Sequence, residues 1–317
     1  MKNSQEYAIY FLWLKTKKGI FMTAYETISK PVSKFVKVKN SSMHYLEAGE
    51  GKPFLFIHGN PTSSFLWRNI IIRVKAKCIA VDLIGMGESS KPDLDYSFKN
   101  HYEYLEEFIL KLGFETFSLV IHDWGAALGF YYALNNPEKI NSIVFMEPML
   151  FPIPNIEDLK GDVGEFFKNV RNPEIGYEMI INQNFFIEKM LPGMTKKGID
   201  NAKLEVYRKP YIEKDHRKPL LKWPLEVPIA GEPKENEMIL NNIIQNLQNG
   251  KLSNIPKLLL YVKPGAIMPL ELVDMCKNTF GNLQTKFIGE GLHFIQEDLP
   301  NEISTEINEW IEKNQEF

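Results

Sequence analysis

The feature that most constrains the fold is a strand, a sharp turn and a helix in immediate succession. Residues 117–121 are apolar and favour a strand, and small residues at helical spacing begin at Gly125. Asp123 stands at the turn between them, and Gly125 occupies a place where a side chain would crowd the turn. The order is typical of a nucleophile elbow, although the usual tip residue is Ser, and Ile121 stands where a small residue is usual. Asp123 is therefore a candidate nucleophile; the alternative is that it only caps the helix.

Strand and helix patterns alternate along most of the chain. Apolar or alternating runs predict strands at residues 35–38, 43–47, 53–57, 78–82, 117–121, 140–146, 256–262 and 285–288. Helical spacing occurs between most of them, and the helix over 102–112 is closed by Gly113. This alternation predicts an α/β fold, a mostly parallel sheet with helices on both faces.

The pattern changes between residues 149 and 230. Prolines and helical segments with scattered aromatic residues occur there, and buried-strand runs do not. We therefore predict a helical cap at 149–230, inserted into a core formed by 22–148 and 231–317. Six apolar residues of the cap are candidates either for the wall of a substrate tunnel or for packing inside the cap: Phe151, Phe166, Phe167, Phe185, Phe186 and Leu191.

Polar residues stand at or just beyond the ends of four predicted strands. They are Asn60, Asp123, Glu147 and His293. Ligands of open α/β sheets bind at the carboxyl ends of the strands, so these side chains are expected to share one site. That coincidence favours a functional role for Asp123 over a capping role.

Charge and cysteine content exclude several classes of protein. The net charge is −3, and no basic stripe points to nucleic acid. Cys78 and Cys276 lack the spacing of a metal site or a disulfide framework, which favours a reducing, cytoplasmic location. The sequence does not indicate an oligomeric state.

The first 21 residues form an N-terminal extension of uncertain status. Its one apolar run, 8–14, is too short to span a membrane, and Glu6 lies where a signal peptide would be basic. Membrane attachment is therefore not favoured; a periplasmic or secreted location would follow only if the extension were a signal. Met22 is an alternative start.

At several motifs the chain resembles the α/β-hydrolases, and within them the haloalkane dehalogenases. The resemblance runs from about residue 36 to 310 and rests on segments 58–64, 82–87, 121–125, 146–147, 184–186, 228–233 and 291–298. It implies an eight-stranded α/β-hydrolase sheet with a helical cap, and dehalogenation without metal or organic cofactor. It implies Asp123 as nucleophile, His293 as base and Glu147 as its acidic partner. Asn60 and Trp124 match its halide-binding positions.

The chemistry of these residue types fits that resemblance. A carboxylate can displace halide from an sp³ carbon and give an ester that water can cleave. The leaving halide needs hydrogen-bond donors, which the Trp124 indole and the Asn60 amide supply. His293, oriented by Glu147, would activate the water. The substrate would be a small apolar haloalkane, and the products an alcohol, halide and a proton; chain length and halogen stay open.

The lack of a carboxylate at the other usual position supports Glu147 as the acidic partner of His293. The other usual place for this acid in the fold follows the strand that ends at Val262, where residues 263–270 contain no carboxylate. Glu271 comes next and is expected to begin a helix.

The other polar residues have structural interpretations. His58 and His122 are expected to order the backbone or shape the pocket. His44 and Asp82 are interpreted as structural, with a catalytic role for Asp82 as the less favoured alternative. His101 and His216 are interpreted as surface or helix residues.

Three other functions remain open. An epoxide hydrolase also uses an Asp nucleophile and needs acidic donors, for which Tyr177, Tyr207 and Tyr211 are available; Asn60 and Trp124 argue against it. A coelenterazine luciferase-like monooxygenase would share all five candidate residues. A non-catalytic ligand-binding relative would be expected to lack at least one of them, and none is lacking.

Overall fold

A computed structural model of the 317-residue chain describes residues 15–16, 19–20, 30–159 and 161–314. Most of the predicted N-terminal extension, including its apolar run, and the alternative start at Met22 lie outside these residues. Within the extension, the structure describes only a short antiparallel pair, β1 (Lys15–Thr16) and β2 (Gly19–Ile20).

The predicted sheet, mostly parallel and eight-stranded, is confirmed. Its strands are β3 (Val32–Val38), β4 (Ser41–Ala48), β5 (Pro53–Ile57), β6 (Lys77–Val81), β7 (Phe117–Asp123), β8 (Ile140–Pro148), β9 (Lys257–Pro264) and β10 (Leu283–Gly291). The order across the sheet is β10-β9-β8-β7-β5-β6-β4-β3. Pairs β3–β4 and β4–β6 are antiparallel, and all others are parallel. Every residue of central strand β7 is buried, as its continuous apolar run predicts.

Helices cover the sheet and form the segment between β8 and β9. They are α1 (Arg68–Ile71), α2 (Phe98–Leu112), α3 (Trp124–Asn135), α4 (Gly161–Arg171), α5 (Pro173–Gly176), α6 (Leu191–Gly193), α7 (Asn201–Arg208), α8 (Lys218–Glu226), α9 (Lys234–Asn249), α10 (Leu270–Thr279), α11 (Ile295–Asp298) and α12 (Pro300–Lys313). Short π-helical turns at Tyr177–Asn182 and Phe186–Met190 lie between α5 and α6. In the described residues, no helix is long and apolar enough to cross a membrane.

Segment 149–230 contains α4 to α8, and the only strand-like pairing among its described residues is the pair of isolated bridges that Ile229 makes to Ile153 and Glu232. The exact division between core and cap at 149 and 230 stays a prediction. The last strand is longer than the predicted 285–288, because the parallel ladder continues through Gly289–Gly291 pairing with 262–264 of β9.

Helix α2 corrects one expectation. Ser97 caps its first turn, and Gly113 ends it with φ +69°, as predicted. His101, interpreted as a surface or helix residue, does lie in this helix, but it is fully buried on the apolar face and not at the surface. Its ring stacks on Trp223 of α8 at a centroid distance of 4.2 Å. Burial lowers the pKa of His101 to about 3, so the ring is neutral there.

Candidate active site

Asp123 stands at the turn from β7 to α3 in a strained conformation, with φ +52° and ψ −130°. Its side chain makes no capping hydrogen bond to the helix, so the capping interpretation is not what the structure shows. The turn is crowded on two sides. A Cβ on Gly125 would lie 2.3 Å from the Ile57 carbonyl oxygen, and a Cβ on Gly59 would lie 2.0 Å from Asp123 Oδ1. Glycine is therefore required at both positions.

Backbone amides hold the Asp123 carboxylate. The Asn60 N–H donates to Oδ1 at 2.8 Å, and the Trp124 N–H also lies against the carboxylate and stabilises its charge. Burial would raise the pKa of Asp123, but the hydrogen bond and positive charge of His293 outweigh it and hold that pKa below its usual range. Asp123 is therefore ionised at neutral pH.

His293 lies between two carboxylates. Its Nε2 is 3.4 Å from Asp123 Oδ2, and its Nδ1 is 3.2 Å from Glu147 Oε2. Burial would lower the pKa of His293, but the hydrogen bonds and charges of both carboxylates outweigh burial and raise it to about 9. The sequence placed these three residues at separate strand ends, and the structure brings them together.

Glu147 is the next-to-last residue of β8, with φ +41°, and has an unexpected set of partners. Besides His293, its Oε2 accepts hydrogen bonds from the backbone N–H groups of Ala266 and Ile267, at 3.1 and 2.9 Å. These residues belong to the loop after β9 that contains no carboxylate. The loop therefore binds the acid from β8 through its amides, a role that residue types alone do not reveal.

Asn60 and Trp124 stand beside Asp123 and line the same cavity. The Asn60 Nδ2 makes one long contact of 3.4 Å to the Leu220 carbonyl, so one N–H remains for a ligand. The Trp124 indole N–H has no hydrogen-bond partner among the described residues. Its ring stacks on Trp223 of α8 at 4.7 Å with an interplanar angle of 25°. That ring is in turn the one on which His101 stacks.

A cavity of about 320 Å³ joins these groups to the surface. The charged residues Asp162 and Lys189 in its lining are exposed, whereas Asp123 and His293 are buried. Most of the lining is apolar, from Met149, Val163, Phe166, Phe167, Phe185, Phe186, Met190, Met194, Pro224, Val227, Ile267 and Phe294. Of the six candidate tunnel residues, Phe166, Phe167, Phe185 and Phe186 line the cavity, and Phe151 and Leu191 do not.

The tyrosines considered for an epoxide hydrolase lie elsewhere. Tyr177 is exposed, Tyr207 donates its hydroxyl to Glu297 at 2.6 Å, and Tyr211 is buried. Among the described residues, none of the side chains lining the cavity is a tyrosine. An acidic hydroxyl is therefore missing where a ring oxygen would need one.

The other histidines order the site as expected. His58 donates from Nδ1 to the Gly59 carbonyl and accepts from the Leu83 N–H. His122 packs 4.6 Å from the His293 ring and donates from Nε2 to the His293 carbonyl at 2.9 Å. Burial lowers the pKa of His122 to about 3.

The strand-end carboxylate Asp82 is structural. It accepts from His44 Nδ1 and from the backbone N–H groups of Ser64 and Glu88. In the part of the chain that the structure describes, no group of His, Cys, Asp and Glu side chains could hold a metal ion.

Comparison with known proteins agrees with this geometry. Residues 52–176 match the family model described as alpha/beta hydrolase fold. A haloalkane dehalogenase of Mesorhizobium japonicum is 37% identical over 87% of this chain and 90% of its own length. One from Sphingobium indicum is 38% identical over 88% of this chain and 95% of its own. The crystal structure of a haloalkane dehalogenase from Bradyrhizobium elkani superposes with a TM-score of 0.86 at 35% identity, covering 90% of this chain and 99% of that one. On these similarities, the chain belongs to the haloalkane dehalogenases, within the α/β-hydrolase fold.

Proposed function

We propose that the chain hydrolyses haloalkanes to an alcohol, halide and a proton, with Asp123 as nucleophile, His293 as base and Glu147 as its partner. The observation that carries this proposal is the apolar cavity that ends at Asp123. At that end Asn60 and Trp124 offer hydrogen-bond donors, and His293 stands within reach of the carboxylate. An apolar alkyl chain fits the walls, and the donors suit an anion that forms at the end of the cavity.

In the first step an Asp123 carboxylate oxygen attacks the carbon that bears the halogen. A C–O bond forms, the carbon–halogen bond breaks, and the halide leaves with the electron pair. The side-chain N–H of Asn60 and the indole N–H of Trp124 bind the halide as its charge develops. Asp123 is ionised at neutral pH, so this step needs no base.

In the second step His293 takes a proton from a water molecule, whose oxygen attacks the ester carbonyl carbon of Asp123. The negative charge of the tetrahedral intermediate falls on the oxygen that accepts from the Asn60 backbone N–H, and the Trp124 N–H lies beside the same carboxyl group. Collapse breaks the bond to the alkyl oxygen, which takes the proton from His293 and leaves as the alcohol, and the new carboxyl group of Asp123 releases the proton of the attacking hydroxyl. The Asp123 carboxylate is regenerated, and water is the only co-reactant.

Alkylation itself prepares His293 for this second step. In the resting enzyme both neighbouring carboxylates raise the pKa of His293, which is then charged and cannot act as a base. Ester formation removes the negative charge of Asp123 and with it the nearest opposite charge on the Nε2 side. The pKa of His293 then falls, and the neutral imidazole becomes available when the ester needs water.

The alternatives are less well supported. Epoxide opening lacks a tyrosine in the cavity lining, and the relatives reported above are dehalogenases rather than coelenterazine oxidases. A non-catalytic binding protein would not be expected to keep all five residues.

The test is halide release by the purified protein from 1-bromobutane and 1,2-dibromoethane, with styrene oxide and coelenterazine as parallel substrates. We expect bromide release that is lost in Asp123→Ala. In His293→Ala we expect one equivalent of bromide and an alkyl ester on Asp123, detected as a mass increase of the intact protein. Diol formation or light without bromide would contradict the proposal.

A further inference from the structure

Two neighbouring carboxylates follow the loop that carries His293, and the mechanism above uses neither. They are Glu297 and Asp298, at the end of α11. Asp298 is 2% exposed, and the Glu297 side chain is 3% exposed. Buried carboxylates need partners, because an unpaired charge in the interior is costly. Each of the two carboxylates has at least one hydrogen-bond partner in segment 149–230.

Asp298 binds the backbone of a short segment of that region, residues 194–197. Its Oδ2 accepts from the Lys196 N–H at 2.8 Å, and its Oδ1 accepts from the Lys197 N–H at 2.9 Å. The Lys197 ammonium also donates to the Asp298 carbonyl oxygen. Hydrogen bonds to an ionised acceptor are about twice as strong as neutral ones, so the carboxylate fixes this segment firmly.

The other end of the same segment holds the backbone of His293. The Met194 carbonyl accepts from the N–H groups of both His293 and Phe294, each at 3.1 Å. The side chain of Met194 lines the substrate cavity. Four hydrogen bonds therefore join the backbone of residues 194–197 to residues 293–298, two from His293 and Phe294 at one end and two to Asp298 at the other.

We infer that Asp298 is a positioning residue for ester hydrolysis: by holding residues 194–197, it keeps the Met194 carbonyl in place on the His293 backbone and so aims the imidazole at the ester. This inference rests on the proposed role of His293 as the base of the second step. Asp298 acts through this segment and does not touch the reacting atoms.

The two steps depend on this arrangement to different degrees. The Asn60 N–H donates to the Asp123 carboxylate, the Trp124 N–H lies against it, and no residue of 194–197 contacts it through a hydrogen bond. Loosening residues 194–197 therefore leaves the nucleophile in place and shifts the base. Displacement of a catalytic group by about 1 Å can slow its step by about a hundredfold.

The neighbouring carboxylate provides a matched control. Glu297 accepts two hydrogen bonds from the Arg68 guanidinium, at 2.5 and 2.7 Å, and one from the Tyr207 hydroxyl of α7 at 2.6 Å. This contact also joins segment 149–230 to α11, yet it involves none of residues 194–197. Tyr207→Phe removes one such hydrogen bond without disturbing the segment that holds His293.

The experiment is a single-turnover reaction with excess enzyme and 1-bromobutane, quenched with acid, with the alkyl-enzyme followed by intact mass. In Asp298→Asn, one accepting oxygen becomes an NH2 group that opposes a backbone N–H. We expect the alkyl-enzyme to form within about twofold of the wild-type rate and to decay at least about tenfold more slowly. Tyr207→Phe and Lys197→Met keep both amide bonds to Asp298, and we expect both of their rates within about twofold of wild type.

Several results would overturn the inference: unchanged decay in Asp298→Asn, equal slowing of both steps, or equally slow decay in Tyr207→Phe. If Asp298→Asn does not fold, hydrogen exchange of the wild type decides. Peptides covering 194–197 and 293–294 should open with the same free energy, and independent opening would refute the coupling. Bromide release by the wild type that requires Asp123 tests the proposed function separately, so failure of either idea is recognisable.

Discussion

The charge of His293 should depend on the charge of Asp123, and this dependence can be measured. The pKa of His293 is raised from 6.5 to about 9 in the resting enzyme. A difference of about 2.5 pKa units corresponds to about 3 kcal/mol in favour of the imidazolium. Carboxylate oxygens at 3.4 and 3.2 Å from the two ring nitrogens supply this stabilisation and outweigh the effect of burial.

Asp123→Asn removes one charge and keeps the size of the side chain, so it reproduces the electrostatics of the neutral ester. Loss of an opposite charge within about 4 Å should lower the pKa of His293 by about 1 to 3 units. Glu271→Gln is the control, because Glu271 is an exposed carboxylate outside the site. That control should leave the pKa of His293 unchanged.

The assay is an NMR titration of protein labelled at its histidine rings. The chain has six histidines, and burial lowers the pKa of His101 and His122 to about 3, so these two stay silent between pH 5 and 10. The spectrum of His293→Gln identifies the signal of His293 by its absence. A pKa of His293 below 7 in the wild type, or one that Asp123→Asn leaves unchanged, would refute the reasoning.

The same shift links folding to pH. Because the pKa of His293 is higher in the folded than in the unfolded chain, its contribution to the free energy of unfolding is fully present below about pH 6.5. It is lost as pH rises through about 9, the folded-state pKa. Urea unfolding should therefore show wild type losing up to about 3 kcal/mol over this interval relative to His293→Gln. Parallel curves for the two proteins would contradict the shift.

Three further substitutions test other parts of the structure. Trp124→Phe removes one hydrogen-bond donor to the halide, and we expect halide-release assays to show kcat/KM lowered about a hundredfold. The loss should be greater for chloroalkanes than for bromoalkanes, and equal losses for both halogens would count against a halide contact. Gly59→Ala would place a Cβ 2.0 Å from Asp123 Oδ1 and should slow alkyl-enzyme formation at least about a hundredfold. The circular dichroism spectrum should stay native, and a near-normal rate of formation would show that the turn can relax. Arg68→Met leaves the buried Glu297 carboxylate without its cation and should lower the free energy of unfolding, measured in urea, by about 3–5 kcal/mol. A loss below about 1 kcal/mol would mean that the hydrogen bond from Tyr207 is enough to stabilise the buried Glu297 carboxylate.

The parts of the fold and site that could be predicted are those that follow from the sheet. A buried strand needs a continuous apolar run, and its carboxyl end is marked where that run stops, so Asp123, Glu147 and His293 could be placed from the sequence. Parallel strands bring such ends to one edge, which is why side chains far apart in sequence were expected together.

Contacts made by backbone groups, and contacts between the cap segment and the core, could not be predicted, and the reasons are physical. The Met194 carbonyl and the amides of Ala266 and Ile267 are backbone groups, which every residue possesses, so residue types do not reveal them. The burial of His101 could not be predicted, because a neutral imidazole packs like other aromatic rings when a second ring covers it. That ring, Trp223, comes from a helix more than a hundred residues later in the chain.

Asn60 has a consequence for how proteins of this design diversify. Its main chain contacts the nucleophile, and its side chain faces the cavity. The main-chain N–H survives any replacement except proline, whereas the side chain changes with each one. A substitution at position 60 therefore changes the side chain that contacts the leaving group, while the main-chain N–H that stabilises the oxyanion during ester hydrolysis is retained. Gly59, one residue earlier, has no such freedom, so one peptide unit separates an evolvable position from a fixed one.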